Sequence, residues 1–199
     1  MGNEPSKSNS RLGVCAMAFT TKAIEAEEMK TVAGALNASG GGGDSGMCPK
    51  SEFDEALKTV EKFEESDLEL FHKLFVMFDN TGEDTVPIRE YLAGVGGCLC
   101  SGTVAEKLQL AFELYDLNGT GVSDRGNMKK VLNSINLVAS YFGDPVVSTA
   151  DIDKLVLETF QKANVTTAPL PFDTCVPLIV GNNIVERFVA GKGDVKFGR

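Results

Sequence analysis

Apolar residues return at helical spacing in one segment of this chain after another. Between Lys22 and Leu36 the small or apolar positions Ala23, Ile24, Ala26, Met29, Val32 and Leu36 share one helical face. The run from Asn37 to Gly46, almost all Gly, Ser, Ala, Asn and Asp, ends that helix by freeing the backbone. A second helix is predicted from Lys50 to Phe63 on Phe53, Leu57 and Val60. A third starts at a cap, Ser66, and carries Leu68, Leu70, Phe71, Leu74, Phe75 and Phe78. A loop covers Asp79 to Arg89, and a short helix follows through Tyr91, Leu92 and Val95.

The second half repeats the plan. Helix Val104–Tyr115 leads to a loop, then to a helix from Met128 to Val138 on Met128, Val131, Leu132 and Ile135. Another begins near Ser148, whose spacing to Asp151 is that of a capping box, and runs through Ile152, Leu155, Val156 and Phe160. A last loop leads to apolar turns at Val176–Val180 and Ile184–Val189. Helix, loop, helix recurs four times with no run of alternating strand residues, so the predicted fold is all-α. The organisation expected is a flexible, polar arm over 1–20, one pair of units over 21–100 and a second pair over 101–199.

The loops carry the chemistry. At Phe112-Glu-Leu-Tyr-Asp116-Leu-Asn118-Gly-Thr120-Gly121 an apolar helix breaks into alternating oxygen-bearing residues with glycine at the sixth place. That is the opening half of an EF-hand calcium loop, which takes oxygens from positions 1, 3 and 5, a backbone carbonyl from 7 and a bidentate Glu from 12. Here Asp116, Asn118 and Thr120 fill the first three places and the Val122 carbonyl the fourth, but Asn127 stands at the twelfth. An amide lacks two charged oxygens, so magnesium or an empty loop is expected, with Asp124 at position 9 a further oxygen.

The loop from Asp79 to Glu90 is the best site. Asp79, Thr81 and Glu83 occupy positions 1, 3 and 5, the Thr85 carbonyl falls at 7, and Glu90 closes. Asp84 replaces the sixth-position glycine, where φ is positive, and Pro87 stiffens position 9. Weak calcium binding is expected, or else a turn that kept its shape without metal. Numbering back from Glu52 puts Gly41, Gly43 and Gly46 at positions 1, 3 and 6 of an earlier loop, read as a decayed hand or a linker. The loop from Asn164 is one residue short if Leu170 takes position 8. Its closing place is Thr174 in that register or Cys175 without the deletion. Neither supplies a carboxylate, and no metal is expected there.

These segments resemble a family: four-EF-hand proteins of the neuronal calcium sensor, calcineurin B and calaxin-like group. Phe75-Val-Met-Phe-Asp79 and Phe112-Glu-Leu-Tyr-Asp116 look like its entering helices with their first ligands. Phe160-Gln-Lys-Ala-Asn164 and Leu170-Pro-Phe-Asp-Thr-Cys-Val-Pro-Leu-Ile179 look like the entry and exit of its fourth hand. The resemblance covers about 24–188. It implies two lobes, each a pair of hands joined by a short β-bridge between loops, with Val86 on one such bridge. It also implies an apolar groove for an amphipathic partner helix. The lining expected is Phe71, Leu74, Phe75, Met77, Phe78, Leu92 and Val95.

Charge and composition narrow the classes. A formal net charge of −9 supplies no basic stripe for nucleic acid. Five cysteines, spread at Cys15, Cys48, Cys98, Cys100 and Cys175 without a secretory signal, read as reduced cytosolic thiols. Cys98 and Cys100 invite a redox reading, but buried thiols are the plainer one. His72, the only histidine, has no partner motif. The chain shows no nucleophile–base constellation, and its glycine run lacks the Lys-Ser/Thr of a phosphate loop, so no enzyme is expected.

Met1-Gly2-Asn3-Glu4-Pro5-Ser6 fits the N-myristoylation pattern at Gly2. One such chain binds a membrane marginally, so a second signal from Lys7, Arg11, Lys22 or Cys15 would be needed. Two functions remain open: a calcium sensor gated by loop 79–90, and an adaptor that kept the groove and lost most of the switch. A cytoplasmic place is expected, with membrane or ciliary and flagellar variants suggested by the lipid pattern and the family resemblance.

Overall fold

The computed structural model describes residues 24–40 and 46–189. In chain order these form α1 (Ala26–Ala38), β1 (Met47–Pro49), α2 (Lys50–Leu57), α3 (Glu65–Phe78), β2 (Thr85–Pro87) and α4 (Ile88–Leu99). They continue with α5 (Val104–Tyr115), β3 (Val122–Ser123), α6 (Arg125–Tyr141), α7 (Thr149–Lys162), β4 (Leu170–Pro171), α8 (Phe172–Val180) and α9 (Glu186–Val189). The fold is all-α, four helix–loop–helix units whose loops pair through two short antiparallel ladders, β1 with β2 and β3 with β4. The arm with Gly2, Lys7, Arg11, Cys15 and Lys22, and loop residues Gly41 and Gly43, lie outside the described residues.

Local chemistry sets the helix starts. Thr103 with Glu106 and Ser148 with Asp151 form capping boxes at α5 and α7, which satisfies N–H groups that have no partner within the helix. At α3 the box is Glu64 with Asp67, so the helix begins two residues earlier than a Ser66 cap would place it. Asp124 caps α6 by accepting from the Asn127 N–H at 2.7 Å, which brings that helix forward to Arg125. The helix expected to reach Phe63 stops at Leu57 and gives way to turns closed by Thr59 and Val60 N–H groups on Ala56 and Leu57 carbonyls. Pro49, Pro87 and Pro171 stand just before α2, α4 and α8 in extended backbone. A helix N-terminus needs no N–H there, so proline is accommodated and fixes the entry angle.

Paired hands bury one another's apolar faces. The Phe53 ring lies 5.1 Å from Phe75 and 5.0 Å from Tyr91, and Phe78 lies 5.2 Å from Tyr91. The Tyr91 hydroxyl donates to the Phe71 carbonyl at 2.9 Å, so its burial leaves no orphaned polar atom. In the other pair Phe112 stacks on Phe172 at 5.4 Å. The two pairs join through α4, which packs on α5 and α6. Gly94 and Gly97 face Ser134 and Ile135 so closely that a side chain at either would collide. The Tyr141 hydroxyl also donates to the Met77 carbonyl at 3.1 Å, tying α6 to α3.

Candidate metal loops and an open groove

Strand register fixes the numbering of every loop. Cys48 pairs with Val86, which sets position 8 of the first hand against position 8 of the second. The flanking bonds are reciprocal: Lys50 N–H donates to the Asp84 carbonyl at 2.9 Å and Ile88 N–H to the Gly46 carbonyl at 3.1 Å. Gly46 has φ +69°, as a sixth-position turn requires. Residues 46–52 therefore follow the second half of a hand's register, with Gly46 at position 6 and Glu52 at position 12.

In the second loop the carboxylate of Asp79 organises the turn. Its Oδ1 accepts from Gly82 N–H at 2.8 Å and from the Thr81 N–H and hydroxyl at 3.0 Å each. Its Oδ2 accepts from Asp84 N–H at 3.0 Å. Partial burial works to raise the Asp79 pKa, but these bonds to the charged form outweigh it and hold the carboxyl below its ordinary value. Asp84 sits at φ +53°, the left-handed backbone its sixth place demands. Glu83 is exposed, and Thr85 lies half-buried on β2. The Oε1 of Glu90, the closing residue, lies 3.6 Å from Lys130 Nζ on α6. Among the described residues no three His, Cys, Asp or Glu side chains gather as a metal-holding group. The donor set of Asp79, Thr81, Glu83, the Thr85 carbonyl and Glu90 is all hard oxygen, the chemistry a calcium or magnesium ion takes, once Glu90 turns from Lys130.

The third loop keeps its shape by the same device. Asp116 Oδ2 accepts from Gly121 N–H at 2.7 Å and Oδ1 from the Thr120 hydroxyl at 2.9 Å, with Gly121 at φ +68°. Asp124 is engaged as the α6 cap. The Asn118 Oδ1, at position 3, accepts from the Arg89 guanidinium at 3.3 Å. Val122 and Ser123 form β3, and buried Ser123 takes position 8.

Leu170 pairs with Ser123, which selects the one-residue-short register of the fourth loop and places Thr174 at its closing position. Asn164 is not positioned as a ligand. At φ +56°, with Val165 N–H donating to the Phe160 carbonyl at 3.1 Å, it is the left-handed terminator of α7.

The apolar residues expected to line a partner groove are covered in this structure. Phe71, Leu74, Phe75, Met77, Phe78, Leu92 and Val95 are all buried, between the first two hands and, through α4 and Tyr141, against α5 and α6. An open apolar depression of about 370 Å³ lies elsewhere, between α1, α5 and α8. Ala26, Ala105, Leu110, Val176 and Pro177 line it, with Glu106, Glu113 and Asp173 among the acids and Lys30 the one basic residue. Lys30 is held by Glu113 at 3.0 Å. Nothing in the sequence distinguished this surface, since its walls come from three distant segments.

The remaining candidates are structural. Burial, with the Glu52 charge nearby, pushes the Cys48 thiol up to about 12, burial likewise takes Cys98 to about 12 and Cys175 to about 11. Cys98 lies on α4 and donates to the Ile135 carbonyl at 3.3 Å, whereas Cys100 follows the helix and bridges to Ile24. Protonated, buried thiols are poor nucleophiles. His72 is half-buried and bonds Asp54 at 2.9 Å, which also pairs with Lys50 at 2.8 Å.

Paired helix–loop–helix units with ladder-joined, oxygen-rich loops define an EF-hand protein. No family model matches the chain. It is 32% identical over 98 residues to the calcium-binding protein NCSA of Dictyostelium discoideum, covering 49% of this chain and 50% of that one. It is 32% identical over 129 residues to guanylyl cyclase-activating protein 1 of Lithobates pipiens, covering 58% and 61%. To the guanylyl cyclase inhibitory protein of the same frog it is 32% identical over 91 residues, covering 46% and 43%. These relatives are neuronal calcium sensor-type EF-hand proteins, the group the loops resemble. The chain spans about half the length of the curated relatives it matches.

Proposed function

We propose that this protein is a non-enzymatic EF-hand adaptor, derived from a calcium sensor, that binds calcium weakly at loop 79–90 and holds an amphipathic helix of a protein target. One observation carries the reading. Of the four loops, only 79–90 has acids at positions 1, 5 and 12, and Asp79 already orders its backbone. The third loop's Asp124 and the fourth loop's Asn164 serve as helix caps, so those places do structural work. At most one or two divalent sites follow, with magnesium an alternative occupant of 116–127.

Two of the relatives are named for action on guanylyl cyclase, a protein target. For this chain the depression between α1, α5 and α8 supports a partner of the same broad kind. Its acids favour a helix with apolar anchors at i, i+3/i+4 and i+7 and basic flanks. Myristoylation at Gly2 would add a membrane contact, and a cytoplasmic, membrane-associated or ciliary location is compatible with either form.

Calorimetric titration with calcium and magnesium tests the metal reading. One or two weak sites are expected, with the stronger lost in Glu90→Gln. Three or more tight sites, or full binding in that variant, would overturn it. Binding of a basic amphipathic peptide, measured by fluorescence anisotropy in chelator and in calcium, tests the adaptor. Comparable affinity in both, lost in Ala105→Arg at the exposed wall of the depression, supports it; binding only in calcium restores the sensor reading, which the names of the relatives favour. Intact mass after co-expression with a myristoyltransferase, comparing Gly2→Ala, tests the lipid.

A further inference from the structure

The two middle hands touch each other's ligand positions through basic side chains. Lys130, on the exit helix of the third hand, reaches Glu90, the closing ligand of the second loop, at 3.6 Å. Arg89, on the exit helix of the second hand, donates to Asn118, at position 3 of the third loop, at 3.3 Å. Arg89 and Glu90 are neighbours in the first turn of α4, so the two contacts share one short piece of backbone. Tyr115, just before the third loop's first ligand, lies in the same cluster beside Lys130.

We propose that Lys130 and Arg89 form a reciprocal cationic clamp that occupies ligand oxygens of the two middle loops and competes with a divalent cation for them. Glu90 can complete the second loop only by leaving Lys130, so the ammonium weakens calcium binding there. Because Arg89 moves with the same turn of α4, filling the second loop is felt at Asn118 in the third. The pairing is half-exposed, so its effect is modest and fades with salt.

This clamp rests on the reading of loop 79–90 as the cation site, and the experiment separates the two. At low ionic strength Lys130→Gln should tighten calcium binding about two- to fivefold, the range an exposed ion pair is worth. Lys130→Arg should stay near wild type. Lys129→Gln, which removes an equal charge from the neighbouring residue paired with Asp153 at 2.6 Å, should also change little. Equal tightening by Lys129→Gln and Lys130→Gln would overturn the clamp while leaving the loop's role intact. The second readout is the Asn118 side-chain amide resonance, observed in chelator. It should move in Arg89→Gln, and no movement there overturns the clamp. No calcium heat in any variant would overturn the cation reading itself, and the amide resonance would then decide the Arg89 contact independently of metal.

Discussion

Ser123 and Leu170 face each other across the ladder that joins the third and fourth loops, and both stand at position 8 only because the fourth loop is one residue short. The eighth place of an EF-hand loop is ordinarily apolar, as Val86 is in the second. Ser123 is 2% exposed there and spends its hydroxyl on the Asp124 carbonyl at 3.2 Å. Ser123→Val should therefore raise stability by about 1 kcal/mol, since it adds buried apolar surface and a β-branched strand residue. Urea unfolding of the two proteins checks this, and a loss of stability would show that the site lacks room for the methyls.

Asp84 holds a left-handed backbone at φ +53°. Glycine adopts that region without a Cβ penalty, though it gains freedom in the unfolded chain. Asp84→Gly is expected to stabilise the apo protein by roughly 0.5–1 kcal/mol. A rise in the midpoint of thermal unfolding in chelator is the measurement.

Gly94 sits where a Cβ would lie 2.7 Å from the Ser134 carbonyl oxygen and 2.9 Å from a Val138 methyl. Backbone cannot yield as a side chain tip can, so Gly94→Ala should push α4 off α6 and cost about 1–3 kcal/mol. A second consequence distinguishes this from ordinary destabilisation: the Glu90–Lys130 contact spans the same interface and should weaken with it. Amide shifts at both residues report that separation.

The Asp79 carboxyl has its pKa depressed by three N–H groups and the Thr81 hydroxyl, against the raising effect of burial. A folded-state pKa below the unfolded one means a stabilisation fully present above the ordinary aspartate value near ~3.9. It is lost as pH falls through the lower folded value. Carbon-13 titration of the Asp79 carboxyl should place its midpoint below that of the unfolded chain. Asp79→Asn should flatten the acid limb of the stability profile.

Much of the fold was legible because local rules act over one turn. The third unit shows this best: the helical period over Val104–Tyr115, the first loop carboxylate at Asp116 and the turn glycine at Gly121 all lie within a few residues of what they control. The ligand places could be counted along the chain for the same reason. Local reading failed where two signals competed. Ser66 is a good cap by type, but Glu64 and Asp67 satisfy each other's N–H groups and take the helix start.

Tertiary structure decided what side chains with more than one use do. The Phe71–Phe78 stripe is as apolar as a docking face, but the opposing hand covers it, because burying that face in the chain's own core removes it from water without a partner. The sequence by itself determined four helix–loop–helix units and the oxygen-bearing loop positions, since period, caps and turn residues are short-range. It could not register the fourth loop against the third, place Lys130 on Glu90 and Arg89 on Asn118, or form the depression between α1, α5 and α8. Each of those joins residues far apart in the chain, and only the packing of whole helices fixes such distances.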